Sequence, residues 1–177
     1  MPIIGELKTL FSGDFSSNSC TSLTTLSAPM ATSLDCSACT SLTTLSAPMA
    51  ASLVCSACTS LTTLSAPMAA SLDCDACTSL TTLSAPMATY LVCDACTSLT
   101  TLSAPMVTDL YCSGCALTAT SIASILADAV LLPLPDLSNI NFDLSGGTNA
   151  PIGTWSAQAI ADKNLIIGDG GTVAFNS

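Results

Sequence analysis

Positive charge is almost missing from this chain. Lys8 and Lys163 stand against 12 Asp and Glu, with no Arg and no His, so the formal net charge is −10 over 177 residues. Nucleic-acid and anionic-membrane binding need clustered Lys and Arg to neutralise phosphate, and two isolated lysines form no such patch. Without His there is no Ser-His-Asp or Cys-His catalytic pair and no mixed Cys/His zinc site. Aromatic residues are scarce at 4% and charged ones at 8%, yet half the residues are apolar. The apolar half therefore comes from Leu, Ala, Cys, Ile, Val and Met, enough to bury a core and too much for a disordered acidic tail.

What is present is a repeat. The decapeptide TSLTTLSAPM begins at Thr21, Thr40, Thr59, Thr78 and Thr97, a constant period of 19. Nine-residue spacers separate the copies and keep Leu at their fourth position and Cys at their sixth and ninth. Residues 1–19 form a leader, 20–115 an array of five coils, and 116–177 a non-repetitive C-terminal cap. A fixed period of about 20 residues with this self-similarity is the mark of a solenoid.

The apolar spacing says which residues face inward. Leu23, Leu26, Ala28, Ala31, Leu34, Cys36, Cys39 and Leu42 follow one another at intervals of 2 and 3. An interval of 2 marks a strand and one of 3 a corner. Each coil thus has two short strands, around Thr25–Ala28 and Ser33–Cys36. A helix of this length is excluded by the recurring Pro and the Ser/Thr content. Stacked coils would pair as parallel ladders spaced about 4.8 Å apart.

The pattern L-x-x-L-x-A/C-x-x-A/C resembles the leucine-rich repeat, in the short form found in bacterial and phage proteins. The stretch from Cys115 through the apolar run Ile122–Val130, then Asn141–Pro151 and Ala157–Ile167, is similar to the closing segment of such proteins. The resemblance implies a fold of parallel short strands and leaves the role open. The period of 19 is short for that family, Ala replaces Leu at two inward places, and the asparagine ladder is missing. A smaller, flatter coil nearer a straight β-solenoid follows.

Both ends of a solenoid need covering. Ile3, Ile4, Leu7, Leu10 and Phe11 lie at helical spacing, which predicts a small helical N-cap. In the tail, Ile122, Ile125, Leu126, Ala129 and Val130 predict a helix capped by Thr120 or Ser121 and ended by Pro133 and Pro135. Ile140, Phe142 and Leu144 predict a strand, Trp155 to Ile166 a second helix preceded by Thr154, and Thr172 to Phe175 a last strand. No secretory signal and no segment able to cross a bilayer are visible. No membrane insertion is therefore expected, and a virion or extracellular location would be reached without a signal peptide.

Eleven cysteines form the pairs Cys36/Cys39, Cys55/Cys58, Cys74/Cys77, Cys93/Cys96 and Cys112/Cys115, with Cys20 left over because Ser17 takes its partner's place. They read as small buried hydrophobes, as disulfides within or between coils, as a metal ladder, or as redox thiols. The last lacks any nearby base to lower a thiol pKa.

Three surfaces are candidates for function. Thr25/Ser27, Thr44/Ser46, Thr63/Ser65, Thr82/Ser84 and Thr101/Ser103 form an uncharged hydroxyl ladder, similar to the Thr arrays of ice-binding β-solenoids. Asp35, Val54, Asp73, Tyr90, Val92, Asp109 and Tyr111 lie on the one strand face that changes strongly from coil to coil, as recognition surfaces of repeat proteins do. Met30, Met49, Met68, Met87 and Met106 form an apolar ridge at a corner. A calcium site from Asp73, Asp75 and Asp94 is a further reading. With no catalytic constellation and no cofactor expected, the chain reads as a non-enzymatic structural or recognition module. It would be a virion-associated or extracellular fibre or decoration protein that binds a protein or surface, or itself. Ice binding is the alternative.

Overall fold

A computed structural model describes residues 5–8, 12–133 and 137–177. It is a parallel β-solenoid. One face is built from the first strand of each coil: β1 (Glu6–Lys8), β3 (Thr25–Ser27), β5 (Thr44–Ser46), β7 (Thr63–Ser65), β9 (Thr82–Ser84) and β11 (Thr101–Ser103). The other holds β2 (Gly13–Ser16), β4 (Ala31–Asp35), β6 (Ser52–Val54), β8 (Ser71–Asp73), β10 (Tyr90–Val92) and β12 (Asp109–Tyr111). On the second face the array's coils stack in register, each inward Leu on its equivalent in the next coil, as in Leu34↔Leu53 and Leu53↔Leu72.

The inward residues are those the spacing picks out. Leu23, Leu26, Ala28, Ala31, Leu34, Cys36 and Cys39 are all buried, as are nearly all their equivalents. Leu is the largest inward residue of the array, and Ala and Cys at the corners let the two faces approach closely. One column runs the length of the second face: Phe15, Leu34, Leu53, Leu72, Leu91, Leu110, Phe142 and Val173. Burying one such Leu is worth about 2 kcal/mol of transfer free energy.

The corners follow from local chemistry. Pro at the second position of Ala28-Pro29-Met30-Ala31 sets a turn closed by Ala31 N–H to Ala28 O at 3.3 Å. At the other bend the residue just before Cys20, Cys39, Cys58, Cys77 and Cys96 has positive φ: Ser19, Ala38, Ala57, Ala76 and Ala95, at 52° to 59°. There its N–H donates to the following coil, as Ala38 does to Ser56 O and Ala57 to Asp75 O. Non-glycine residues in this region cost about 1–2 kcal/mol each. The array holds them there through the coil-to-coil bonds, and in its last coil the position is Gly114.

The leader corrects the expectation of a helical N-cap. Glu6–Lys8 is a strand in which Leu7 pairs with Leu26, and Gly13–Ser16 pairs with β4. The physical reason is the exposed edge of the first coil. Its unpaired N–H and C=O groups are satisfied by another strand, which a helix laid across the end would leave open. Glu6 pairs with Thr25 just as Thr25 pairs with Thr44, so the leader folds as a degenerate coil of the same period. Ile3, Ile4, Leu10 and Phe11 of the expected helix lie outside the described residues.

The tail extends the array. β13 (Asn141–Leu144) pairs with β12, and β14 (Thr172–Phe175) with β13, giving an eight-stranded parallel second face. Helix α1 (Ala119–Val130) packs on β11, and Ser121 Oγ both accepts from Leu102 N (3.0 Å) and donates to Leu102 O (3.3 Å). The side chain so replaces a missing strand at that edge. The cap of α1 is Thr118, whose Oγ1 accepts from Ser121 N, two residues earlier than expected, because Ser121 is buried against β11. Pro135 of the expected stop lies outside the described residues; α1 itself ends at Val130, ahead of Pro133. The second helix, α2 (Ala157–Gly168), starts after Ser156, later than expected, since Trp155 ends a short 3-10 turn and buries its ring against Phe175.

The first face is interrupted. β1-β3-β5 form one sheet and β7-β9-β11 another, with no ladder between β5 and β7 among the described residues. At this joint Thr59 and Ser60 hydroxyls donate to Thr40 O, at 3.3 and 2.6 Å. Leu45, on the near side of the joint, is only half-buried while Leu83 is fully buried. The decapeptides on either side are identical, so the seam is a property of stacking.

Candidate functional site

The second face presents two outward columns. Reading from the leader to the tail, the first is Asp14, Ser33, Ser52, Ser71, Tyr90, Asp109, Asn141 and Thr172; the second is Ser16, Asp35, Val54, Asp73, Val92, Tyr111, Asp143 and Ala174. All seven candidate recognition residues lie on this one surface. Asn141, Asp143 and Thr172 join it, and sequence reasoning missed them because the tail departs from the period of the array. The signal was the alternation of Ile140, Phe142 and Leu144, which puts Asn141 and Asp143 on the opposite side.

Aromatic contact gathers where the array meets the tail. Tyr90 and Tyr111 are diagonal neighbours with ring centroids 5.9 Å apart and planes tilted by 54°. Tyr90 is 44% exposed, the most exposed aromatic ring among the described residues. Tyr111 is held from the neighbouring column, its hydroxyl accepting from Asn141 Nδ2 at 3.1 Å, while Thr172 Oγ1 donates to Asn141 Oδ1. Val92 stands beside Tyr111 and Asp109 beside Tyr90 in the ladder. Thr108 Oγ1 donates to Asp109 Oδ2 at 3.1 Å. The result is an aromatic pair anchored at Tyr111 and flanked by one apolar and one acidic residue.

Along the second column, acidic and apolar residues alternate: Asp35, Val54, Asp73, Val92. Stacking like charges one strand apart is destabilising, and the interposed valines avoid it. Asp35 sits below its ordinary pKa; burial works against this, but hydrogen bonds from Ser37 Oγ, Asn18 Nδ2 and Ser37 N outweigh it. Asp94 is pushed up, first by burial and then by the carboxylates of Asp143, Asp75 and Asp73, although Ser113 N donates to it at 2.7 Å. Asp73 accepts from Ser56 Oγ and Asp75 N. These carboxylates serve the backbone of the bend, and among the described residues no three acidic or thiol groups converge on one point, the calcium trio Asp73, Asp75 and Asp94 included.

On the first face, the hydroxyls of Thr25, Ser27, Thr44, Ser46, Thr63, Ser65, Thr82, Ser84, Thr101 and Ser103 point outward and make no hydrogen bond within the described protein. Their neighbours are occupied: Thr43, Thr81 and Thr100 donate to the carbonyl of the preceding coil's Thr. The seam divides the ladder into two stretches, and its far end opens into a cleft of about 260 Å³ under α1, lined partly by Thr101, Ser103, Thr118 and Asp128.

All eleven cysteines are free thiols, and all but Cys20 are buried. The second thiol of each pair donates to the first backbone carbonyl of the pair before it: Cys58 to Cys36 O, Cys77 to Cys55 O, Cys96 to Cys74 O and Cys115 to Cys93 O, at 3.1 to 3.3 Å. Contact with the thiols of Cys58, Cys77 and Cys112 pushes Cys36, Cys55 and Cys93 well up, burial adding to it, while burial alone leads at Cys39. Cys58 and Cys112 go the other way, Cys58 lowered by its contact with Cys36 and Cys112 lowered to about 6 by its contacts with Cys115 and Cys93, so the column is buried filling in which hydrogen-bonded thiols shift one another in opposite directions.

Met30, Met49, Met68, Met87 and Met106 are 40% to 54% exposed, one per coil at the Pro corner. No helix among the described residues is long and apolar enough to cross a membrane. Compared with protein-family models, curated proteins and solved structures, the chain matches none.

Proposed function

We propose that the protein is a non-enzymatic recognition module, a solenoid of the leucine-rich-repeat kind that binds a protein surface through its second face. The observation that carries this reading is the Tyr90/Tyr111 pair. Two adjacent tyrosines, one anchored through its hydroxyl, offer large contact area at little cost in side-chain entropy, and Tyr is a favoured interface residue. Alternation of strand and helix in the tail, β12-α1-β13-α2-β14, supports the family reading, since a strand followed by a helix is its usual unit. The fitting partner is a protein displaying apolar and hydrogen-bond-donor groups, on a virion, on an extracellular surface, or on a second copy of this chain.

Co-sedimentation with purified virions and with cell-envelope fractions, alongside analytical ultracentrifugation of the protein alone, tests the reading. The expected result is stoichiometric association that Tyr90→Ala with Tyr111→Ala removes, the fold being retained. Absence of association with every fraction and with itself would overturn it.

The exposed, unbonded Thr and Ser hydroxyls of the first face favour ice binding as a second reading. Freezing-point hysteresis and faceted crystals are its expected signs. Ordinary ice growth at high protein concentration counts against it, and the seam predicts that each uninterrupted stretch acts separately.

A further inference from the structure

We propose that the methionine ridge is a thioether site for a soft monovalent cation of the copper(I) class. Each methionine follows Pro in a turn closed by a hydrogen bond to the preceding Ala: Ala31 to Ala28, Ala50 to Ala47, Ala69 to Ala66, Ala88 to Ala85 and Val107 to Ala104, at 3.1 to 3.3 Å. Pro fixes the turn, so the five side chains leave the scaffold at the same place in every coil. They are among the most exposed large apolar side chains described, and two residues after each the backbone bonds from coil to coil, Ala51 N to Thr32 O, Ala70 N to Ala51 O, Thr89 N to Ala70 O and Thr108 N to Thr89 O at 2.8 to 3.0 Å, so the five corners stack one per coil.

The spacing suits such an ion. Stacked strands lie about 4.8 Å apart, and an ion bridging two sulfurs through bonds of roughly 2.3 Å needs them roughly 4.6 Å apart. The three side-chain torsions of Met take up the remaining difference. Thioether sulfur is soft and neutral, which selects copper(I)-like ions over calcium, magnesium or zinc. The formal charge of −10, with both lysines outside the array, favours a cation at this surface and supplies no ammonium to oppose it. A hydrophobic ridge made only for packing would need nothing of sulfur, so the chemistry of the metal decides between the two.

Silver(I) is the probe, being soft, monovalent and inert to redox change at the site. The full-length Cys20→Ser protein, which removes the one exposed thiol, is labelled at the methionine methyl carbons and titrated with silver nitrate in chloride-free buffer. The expected result is saturable shifts of the five ridge methyl resonances, and an affinity for silver(I) about tenfold lower or more once all five are Met→Leu, with circular dichroism unchanged. Ridge methyls that do not move, or equal silver binding by the five-leucine variant, would overturn the proposal. Should the five-leucine variant fail to fold, the methyl titration decides alone. Neither outcome bears on the tyrosine face, which is a different surface.

Discussion

Ser17 is the one buried side chain among the described residues whose polar atom finds no partner within the protein. It occupies the place that Cys36 fills one coil later, and its carbonyl accepts from Cys39 Sγ at 3.1 Å. A hydroxyl without a partner costs about 1–3 kcal/mol when buried, whereas a thiol is close to apolar. Ser17→Cys should therefore raise stability by about 1 kcal/mol, read as a higher urea midpoint with unchanged slope. Asn149 is the opposite case. It is 1% exposed and fully engaged: Oδ1 accepts from Leu117 N at 2.7 Å, and Nδ2 donates to Cys112 O and Leu144 O at 3.0 and 3.1 Å. One side chain thus ties the last array coil to β13. Asn149→Ala leaves a buried donor and two carbonyls short of a partner and should cost about 3 kcal/mol, measured by denaturant unfolding. Nothing in the sequence marks Asn149, because its partners are backbone groups 5, 32 and 37 residues away.

At the scale of elements, β5 and β9 are the informative pair. Both read Thr-Leu-Ser within identical decapeptides, yet β9 pairs on both sides and β5 on one only. Leu83 is fully buried and Leu45 only half-buried. Leu83→Ala should cost about 3 kcal/mol and Leu45→Ala about half of that, because less contact is lost and water already reaches the site. Equal losses in thermal or urea unfolding would show the two positions to be equivalent and the seam closed in solution. The helices and strands of the tail were legible from their apolar periods, and Thr172–Phe175 has the expected bounds. Their caps were not, since Thr118 and Ser121 compete locally and the choice is made by the edge of β11.

For the molecule as a whole, the continuous thiol column makes stability depend on alkaline pH. An unperturbed thiol ionises near 9.0, while Cys36, Cys39, Cys55 and Cys93 are held above that by contact and burial. Above pH 9 the unfolded chain has released protons that the folded chain still binds, so stability falls as pH rises. Below that value the contribution is fully present. Cys58 and Cys112 are held low, Cys112 at about 6, so their share grows as pH rises toward 9; the urea midpoint, measured with a reductant present, should therefore not fall between pH 7 and 8 and should drop from pH 9 upward, by about 1.4 kcal/mol per pH unit for each thiol held up. A flat profile to pH 10.5 would mean that the column is hydrated.

The sequence alone determined the period, the inward residues, the two strands of each coil and the surface on which the candidate recognition residues lie. All of these follow from a short, exact repeat in which apolar spacing alternates between strand and corner, so local pattern and stacking agree. The tertiary structure decided what happens at ends and joints. It made the leader a coil, joined β13 and β14 to the second face, bonded Asn141 to Tyr111, and opened a seam between identical repeats. These outcomes depend on which backbone groups an edge leaves unpaired and on what lies near enough to satisfy them, which is a property of the stacked coils and not of any one repeat.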